Sequence, residues 1–578
     1  MRAVCRGCVV CALALGAFSG CSQPQSRAGT EGPDAWFVEE SLQRGIVFNH
    51  RSGFSGQPLL PEIVGGGAAL ADVDGDGDLD AYLVQSGWNL AEGSTSDSPV
   101  DQLFVNRGDG YFDAAQPGAA DSGRGYGMGV TAGDYDNDGD VDLYVTNVGP
   151  NTLLNNDGSG RFENVAVSAG VDDPGWSTAA ALLDFDADGD LDLFVVNYIN
   201  WSLAVEKDCF ARGRPTYCAP NTYSSPTMDR LYRNDGDGTF TDVTLAAGLN
   251  RRFGNGLGVV GADFDGDGRI DLFVANDGMA DQLWLNKGNL TFIEEAALWG
   301  SAVNNQGVVT AGMGVAAADV DDDGDTDLLV VNFENEADSF YLNEGGYFRD
   351  VTAQIGIAAA TRKRTRFGVA LVDFDNDGRL DLFESNGKVD GDPAATPDPF
   401  AEPNMLFRGR RGADGGVYFD EVKPAAGLAK PAVFTSRALA VGDVDDDGGL
   451  DLLIVNRDGS AHLLMNRIVE RGASLRLRIV TTAGSDALGA TVSAHVGTTT
   501  QRRIVTAAGS YLAAHDPRVH FGLGDEEIAR DITVQWVDGT LEAFGDFDAG
   551  TIARLQRGSG RVVAHPSSER IKADKGPP

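Results

Sequence analysis

Basic residues are scarce in this chain. Forty-five Lys and Arg stand against 86 Asp and Glu in 578 residues, a formal net charge of −41, which excludes nucleic acid as a partner because phosphate binding needs a basic surface. Histidine is rarer still, at His50, His462, His495, His515, His520 and His565. No G-x-S-x-G, H-E-x-x-H or Gly-rich phosphate loop occurs, so no motif sets a nucleophile or a metal-bound water beside a base. No apolar run reaches the roughly 20 residues that a membrane-spanning helix requires. Strong acidity often accompanies disorder, but 42% of the residues are hydrophobic, enough for a packed core. The acidity therefore needs a local explanation.

Cysteine is sparse as well, with six copies, and four of them lie near the amino terminus. Arg2 and Arg6 precede an apolar run from Val9 to Phe18, followed by Ser19, Gly20 and Cys21, the layout of a processing signal. The stretch resembles a bacterial lipobox. That resemblance implies a lipoprotein signal peptide over 1–20 and a membrane anchor on Cys21. With Ser22 next, it also implies sorting to the outer membrane of a bacterial envelope, periplasmic or surface-facing. An ordinary cleaved signal is the alternative. Residues 21–34 are polar, with Gly and Pro, and suit a tether. Cys209 and Cys218 remain, and in an exported chain a disulfide within the insertion from Trp201 to Met228 is expected. A zinc site is the competing idea, with no further Cys or His nearby to complete it.

What the chain has in abundance is one pattern, Asp-x-Asp-x-Asp-Gly-x-x-Asp, spelled seven times at intervals of 50 to 79 residues. That is the period range of propeller blades. Position one is Asp72, Asp134, Asp184, Asp263, Asp319, Asp373 and Asp443. Position three is Asp74, Asp136, Asp186, Asp265, Asp321, Asp375 and Asp445, and position five is Asp76, Asp138, Asp188, Asp267, Asp323, Asp377 and Asp447. Position nine is Asp80, Asp142, Asp192, Asp271, Asp327, Asp381 and Asp451.

Position seven varies among Asp78, Asp140, Asp190, Arg269, Asp325, Arg379 and Gly449. A position that accepts Arg and Gly gives no side-chain oxygen, so a backbone carbonyl is expected there. Position six is always Gly, which allows the sharp turn that wraps chain round an ion. Four carboxylates within nine residues repel one another unless a cation is present, and hard oxygen donors in this number suit calcium better than magnesium. Up to seven structural calcium sites are expected, and filling them would offset about a third of the net charge and stabilise the fold by linkage. An EF-hand is excluded, because position twelve would need Glu and only Glu384 among the seven is acidic.

Each loop follows a run of small and apolar residues (GMGVTAGDYD, GLGVVGADFD) and precedes a β-rich one (DLYVTN, DLFVAN), so it joins two strands. A second hairpin recurs downstream, with an Asn-x-Gly turn before an aromatic strand, as in LLNNDGSGRFENVA. Two hairpins make the four strands of a blade. Arg107-Gly108-Asp109 sits in one such turn, where its siblings read NDG, NKG and NEG, so it is read as a turn and not as a cell-attachment motif.

These loops and hairpins resemble the FG-GAP/VCBS repeat family, whose blades carry such calcium loops in integrin α-subunit propellers. The opening Gly45 to His50, with GGGAALADVDGDGDLD after it, and the Tyr217-Cys218-Ala219-Pro220 run are similar to bacterial relatives in the cartilage acidic protein family. Alternating strands after about Arg467 (SLRLRIV, GATVSAHV, ITVQWVDGTLEAF) resemble an ASPIC/UnbV domain, with Gly489-Ala490, Gly509 to Leu512, His520 to Gly524 and Trp536 to Gly539 carrying the likeness. Val537 stands where that family usually has Pro. The expectation is an all-β chain: a seven-bladed β-propeller of integrin α-like blades over 35–466, a small C-terminal β domain over 467–560 and a flexible tail over 561–578.

Function is expected to be binding or adhesion, with a protein or glycan ligand, and not catalysis. The alternative is an envelope enzyme, a lyase or modifying activity, with its site on the propeller face or where propeller and C-terminal domain meet. His50 is the histidine placed to reach a propeller face, although a hydrogen-bonded structural role at the ring closure fits it better, and His520 in its strand-like stretch is read as structural.

Overall fold

The computed structural model describes residues 35–563, apart from 117–124, 212, 392–397 and 424. The signal peptide expected over 1–20, Cys21, the tether expected over 21–34 and the stretch from 564 lie outside the described residues. No described helix is long and apolar enough to cross a membrane.

Among the described residues, seven antiparallel four-stranded units form, one per Asp loop. Blade two is typical, with strands Tyr126–Gly133, Asp142–Val148, Thr152–Asn156 and Phe162–Asn164 paired in that order. Its second strand is buried almost throughout, and Leu143, Tyr144 and Val145 stand consecutively in place of the alternation of a half-exposed strand. First strands of successive blades lie side by side, and the first strand of blade seven, Ser436–Gly442, contacts that of blade one, Ala68–Ala71. The small residues there have a steric cause. A Cβ on Gly129 would sit 2.5 Å from the Thr178 carbonyl oxygen of the next blade, and one on Gly258 would strike the Met313 carbonyl.

The chain closes the ring on itself. Phe37–Glu39, near the start of the described residues, pairs with Leu464–Asn466 as the outermost strand of blade seven. The hairpin Asn supplies a second fastening. Asn156 Nδ2 donates to the Val141 carbonyl of its own blade (2.9 Å) and to Val73 O of the preceding blade (2.7 Å). Asn234, Asn286, Asn343 and Asn466 repeat this, reaching Tyr135, Phe185, Phe264 and Phe374. Asn106 of blade one reaches Val444 of blade seven at 2.8 Å. Blade six has Gly409 instead, and a Cβ there would collide with the Leu380 carbonyl.

The C-terminal domain consists of a five-stranded and a three-stranded sheet. Its last strand, Arg561–Val562, pairs with Glu542–Ala543, so the sheet runs two residues into the stretch expected as tail. The domain covers the Asp-loop face of the ring and sends residues 508–514 into the centre. Ala513–Ala514 runs parallel to Ala68–Ala69 of blade one. Ser510 exchanges backbone hydrogen bonds with Val315 of blade five and accepts from Val369 N of blade six (2.9 Å). Tyr511 is fully buried, its ring edge-on to Phe367.

Cys209 and Cys218 are joined as expected. They staple a small ribbon of Cys209–Ala211 against Arg214–Thr216 on the face opposite the Asp loops.

Candidate metal centres

Each Asp loop is wound by its own side chains. In blade two, Asp134 Oδ1 and Oδ2 accept from Asp138 N (3.2 Å) and Gly139 N (2.9 Å), and Asp138 Oδ1 accepts from Asp140 N (3.0 Å). Position six takes the left-handed backbone that Gly tolerates, with φ of 101° at Gly139. Position four is left-handed too, at Asn137, Ala187 and Asp322 among others, a conformation that costs energy outside Gly. No local signal marks Ala187 for it.

Position nine does more than was expected of it. Asp142 Oδ2 accepts from Tyr135 N (3.2 Å) and Oδ1 from Asn156 N (2.8 Å), which ties the loop to the second hairpin. Asp80, Asp192, Asp271, Asp327, Asp381 and Asp451 make the same two bonds. Burial pushes these carboxyls up, to about 7 at Asp80 and Asp271, about 8 at Asp192 and Asp327 and about 9 at Asp142, with neighbouring loop carboxylates adding to the effect. Each oxygen keeps a second lone pair for a cation.

The carboxylates within a loop converge. Ligand atoms of Asp72, Asp74 and Asp76 lie within 4.8 Å of one another, as do those of Asp134, Asp136 and Asp142, of Asp184, Asp186 and Asp188, of Asp263, Asp265 and Asp271, and of Asp319, Asp321 and Asp327. Eight buried carboxylate oxygens at positions one and three have no hydrogen-bond partner: Oδ1 of Asp72, Asp74, Asp136, Asp186, Asp319, Asp321, Asp375 and Asp445. Buried charge without a partner costs several kcal/mol. An all-oxygen donor set with vacant lone pairs suits a hard divalent cation. Where position seven is Arg269 or Arg379, the guanidinium turns back onto position five, at Asp267 or Asp377, and offers no oxygen. A carbonyl is the donor such a residue retains.

The seven loops are not electrostatically alike. Among the described residues, no Lys or Arg forms an ion pair with the Asp residues of the 134–142 or 184–192 loops. Those of blades six and seven are crowded with cations. Arg408 meets Asp375 at 2.6 Å, Arg44 and Arg467 flank Asp445 at 3.1 and 3.3 Å, and Arg476 reaches Asp443 at 2.7 Å. The C-terminal domain supplies several partners, including Arg478 to Asp72 (3.2 Å) and Ser485 to Asp134 (2.6 Å). These contacts and the hairpin Asn fastenings went unseen in the sequence, because each partner lies one blade or one domain away.

His50 is buried beside the ring closure. Asp458 N donates to its Nδ1 (3.4 Å), so Nε2 carries the proton and faces Ser86 Oγ (3.2 Å), whose hydroxyl donates to Gly127 O (2.9 Å). A general base would have to accept from Ser86. Burial holds His50 down at about 4. His520 is buried with Nε2 2.8 Å from Asn376 Oδ1 in the blade-six loop, and Arg107 of the Arg-Gly-Asp turn pairs with Asp113.

Four-stranded units fastened in a ring, each with an Asp loop on one face, define a repeat β-propeller carrying candidate cation sites. The chain matches the FG-GAP-like repeat model over residues 72–145, 134–195, 216–274, 263–330 and 319–384, and the ASPIC and UnbV model over 481–562. It belongs to the FG-GAP repeat family, with an ASPIC/UnbV domain after the repeats.

Cartilage acidic protein 1 of Xenopus tropicalis is 30% identical over 308 residues, 52% of this chain and 44% of that protein. The Homo sapiens protein is 28% identical over 377 residues, 62% and 53% of the two chains. The chain thus spans about half the length of the curated relatives it matches. Among solved structures, an Agrocybe aegerita lectin with specific recognition of non-reducing terminal N-acetylglucosamine is 16% identical at a TM-score of 0.34, covering 68% of this chain and 86% of its own. YCF48 bound to D1 peptide is 10% identical at 0.38, covering 72% and 97%.

Proposed function

We propose that the protein is a calcium-stabilised binding module of the bacterial cell envelope, held to the membrane by a lipid on Cys21 and presenting its ring to a protein or glycan ligand. The observation that carries the calcium reading is the set of buried, unpartnered carboxylate oxygens at positions one and three. In each loop the carboxylates of positions one, three, five and nine and the carbonyl of position seven would hold the ion. Bound calcium would supply the positive charge that lets four crowded carboxylates coexist. The family relation and the ring support binding, and the leader sequence supports the anchor.

The test is a thermal unfolding scan of the full chain with calcium and after chelation, with bound metal counted by elemental analysis. The reading expects a large upward shift and several ions per chain. No shift and no metal would reduce the loops to acidic turns. For the ligand, a glycan array and proximity labelling on the cell should return a partner, and silence from both would count against a binding role.

A further inference from the structure

On the face opposite the Asp loops, a cavity of about 360 Å³ lies over the ring centre, within the size range of small-molecule sites. Most of its blade residues precede or open the first strands or follow the second strands. Tyr511, at the tip of the C-terminal plug, lines it, with Leu257, Met313 and Phe367 as apolar walls. The disulfide-stapled insertion roofs it with Tyr217 and Pro220. Thr216 Oγ1 fastens that roof by donating to Asp390 Oδ1 (3.3 Å).

Two carboxylates line the cavity, Asp390 at the roof beside Thr216 and the partly accessible Asp277 among the apolar walls. Asp277 Oδ2 accepts from the Tyr198 hydroxyl at 2.6 Å. Among the described residues no Lys or Arg forms an ion pair with it, and Glu336 adds further negative charge nearby. A carboxylate set among apolar walls lacks a counter-charge, and the ligand best able to supply one brings an ammonium on an apolar body. The ring of Tyr198, which lines the cavity beside Asp277, suits such a cation as well.

We infer that this cavity binds a small arylalkylamine-type ligand, its protonated amine paired with Asp277 and its apolar body against Tyr511, Leu257 and Phe367. This rests on reading the ring as a ligand-binding platform, but it is independent of the calcium loops, which lie on the other face.

The experiment is calorimetric titration of the full chain, loaded with calcium, with tryptamine and with its neutral counterpart tryptophol. Tryptamine should bind at least about tenfold more tightly, the worth of a charge-assisted hydrogen bond in a dry site. Asp277→Asn should abolish that preference while calcium content and melting temperature hold. Ala311→Trp, which fills the cavity from its wall, should block both probes. Equal affinity for the two probes, no heat from tryptamine, or unaltered tryptamine binding by the folded Asp277→Asn protein would each overturn the inference. Unchanged calcium content in every variant separates such a failure from a failure of the metal reading.

Discussion

Replacing Asn156 by Ala tests the blade-to-blade fastening. Asn156 is buried, and its Nδ2 serves Val73 O and Val141 O while its Oδ1 accepts from Gly158 N (3.1 Å). Truncation leaves the buried Val141 carbonyl without that donor, at about 1–3 kcal/mol, and Val73 O with Gly160 N (3.1 Å) as its remaining donor, at about 0.5–1.5 kcal/mol. The half-buried Gly158 amide can turn to water instead. A loss of roughly 2–4 kcal/mol follows, at the upper end if no water enters the gap. Melting temperature reports this poorly, because a unit of several hundred residues shifts only on the order of 1 °C per kcal/mol. Denaturant unfolding followed by intrinsic fluorescence is the sharper assay, with the slope checked for constancy. Asn106→Ala, which cuts the bond from blade one to blade seven, should cost as much and loosen the closing strand Phe37–Glu39 in hydrogen exchange. A loss below about 1 kcal/mol in both variants would refute the fastening.

Three further outcomes are expected. Asp138→Ala, at position five of the blade-two loop, should remove one calcium per chain and lower the melting temperature in calcium, with no change after chelation; an unaltered ion count would contradict the ligand assignment. Glu62 is raised by burial from 4.5 to about 7. The folded state therefore holds a proton that the unfolded chain has already released between those values, and this group's contribution to stability falls as pH rises through that window. Glu62→Gln, which keeps the acceptor for Leu59 N, should be the more stable protein at pH 8, by up to roughly 3 kcal/mol, and the difference should vanish near pH 4. Tyr511→Ala empties the ring centre and removes the bond to Val64 O (3.0 Å). It should cost about 3–5 kcal/mol and let the C-terminal domain exchange hydrogen ahead of the ring, whereas a ring and domain still unfolding together at wild-type denaturant would deny the plug its role.

The loops were legible because their grammar is local. Nine consecutive residues carry the carboxylates, the left-handed Gly and the anchoring apolar residue, and seven copies show which positions vary. The disulfide was legible for a similar reason, since Cys209 and Cys218 stand nine residues apart, well away from the other four cysteines, and a short ribbon between them brings the two together. The double service of position nine was not, because its Asn156 partner belongs to a later hairpin.

The sequence by itself determined the number of repeats, the strand-loop-strand unit and the residues able to hold a cation, all properties set within a few residues of one another. Tertiary structure decided the rest. Only the closed ring brings Val444 to Asn106 and Phe37 to Asn466 across more than three hundred residues. Only docking of the C-terminal domain sets Arg478 and Ser485 on the loops of blades one and two and Tyr511 under the opposite cavity. Such contacts join groups whose separation along the chain carries no pattern, so their energies appear only when the ring closes and the domain docks.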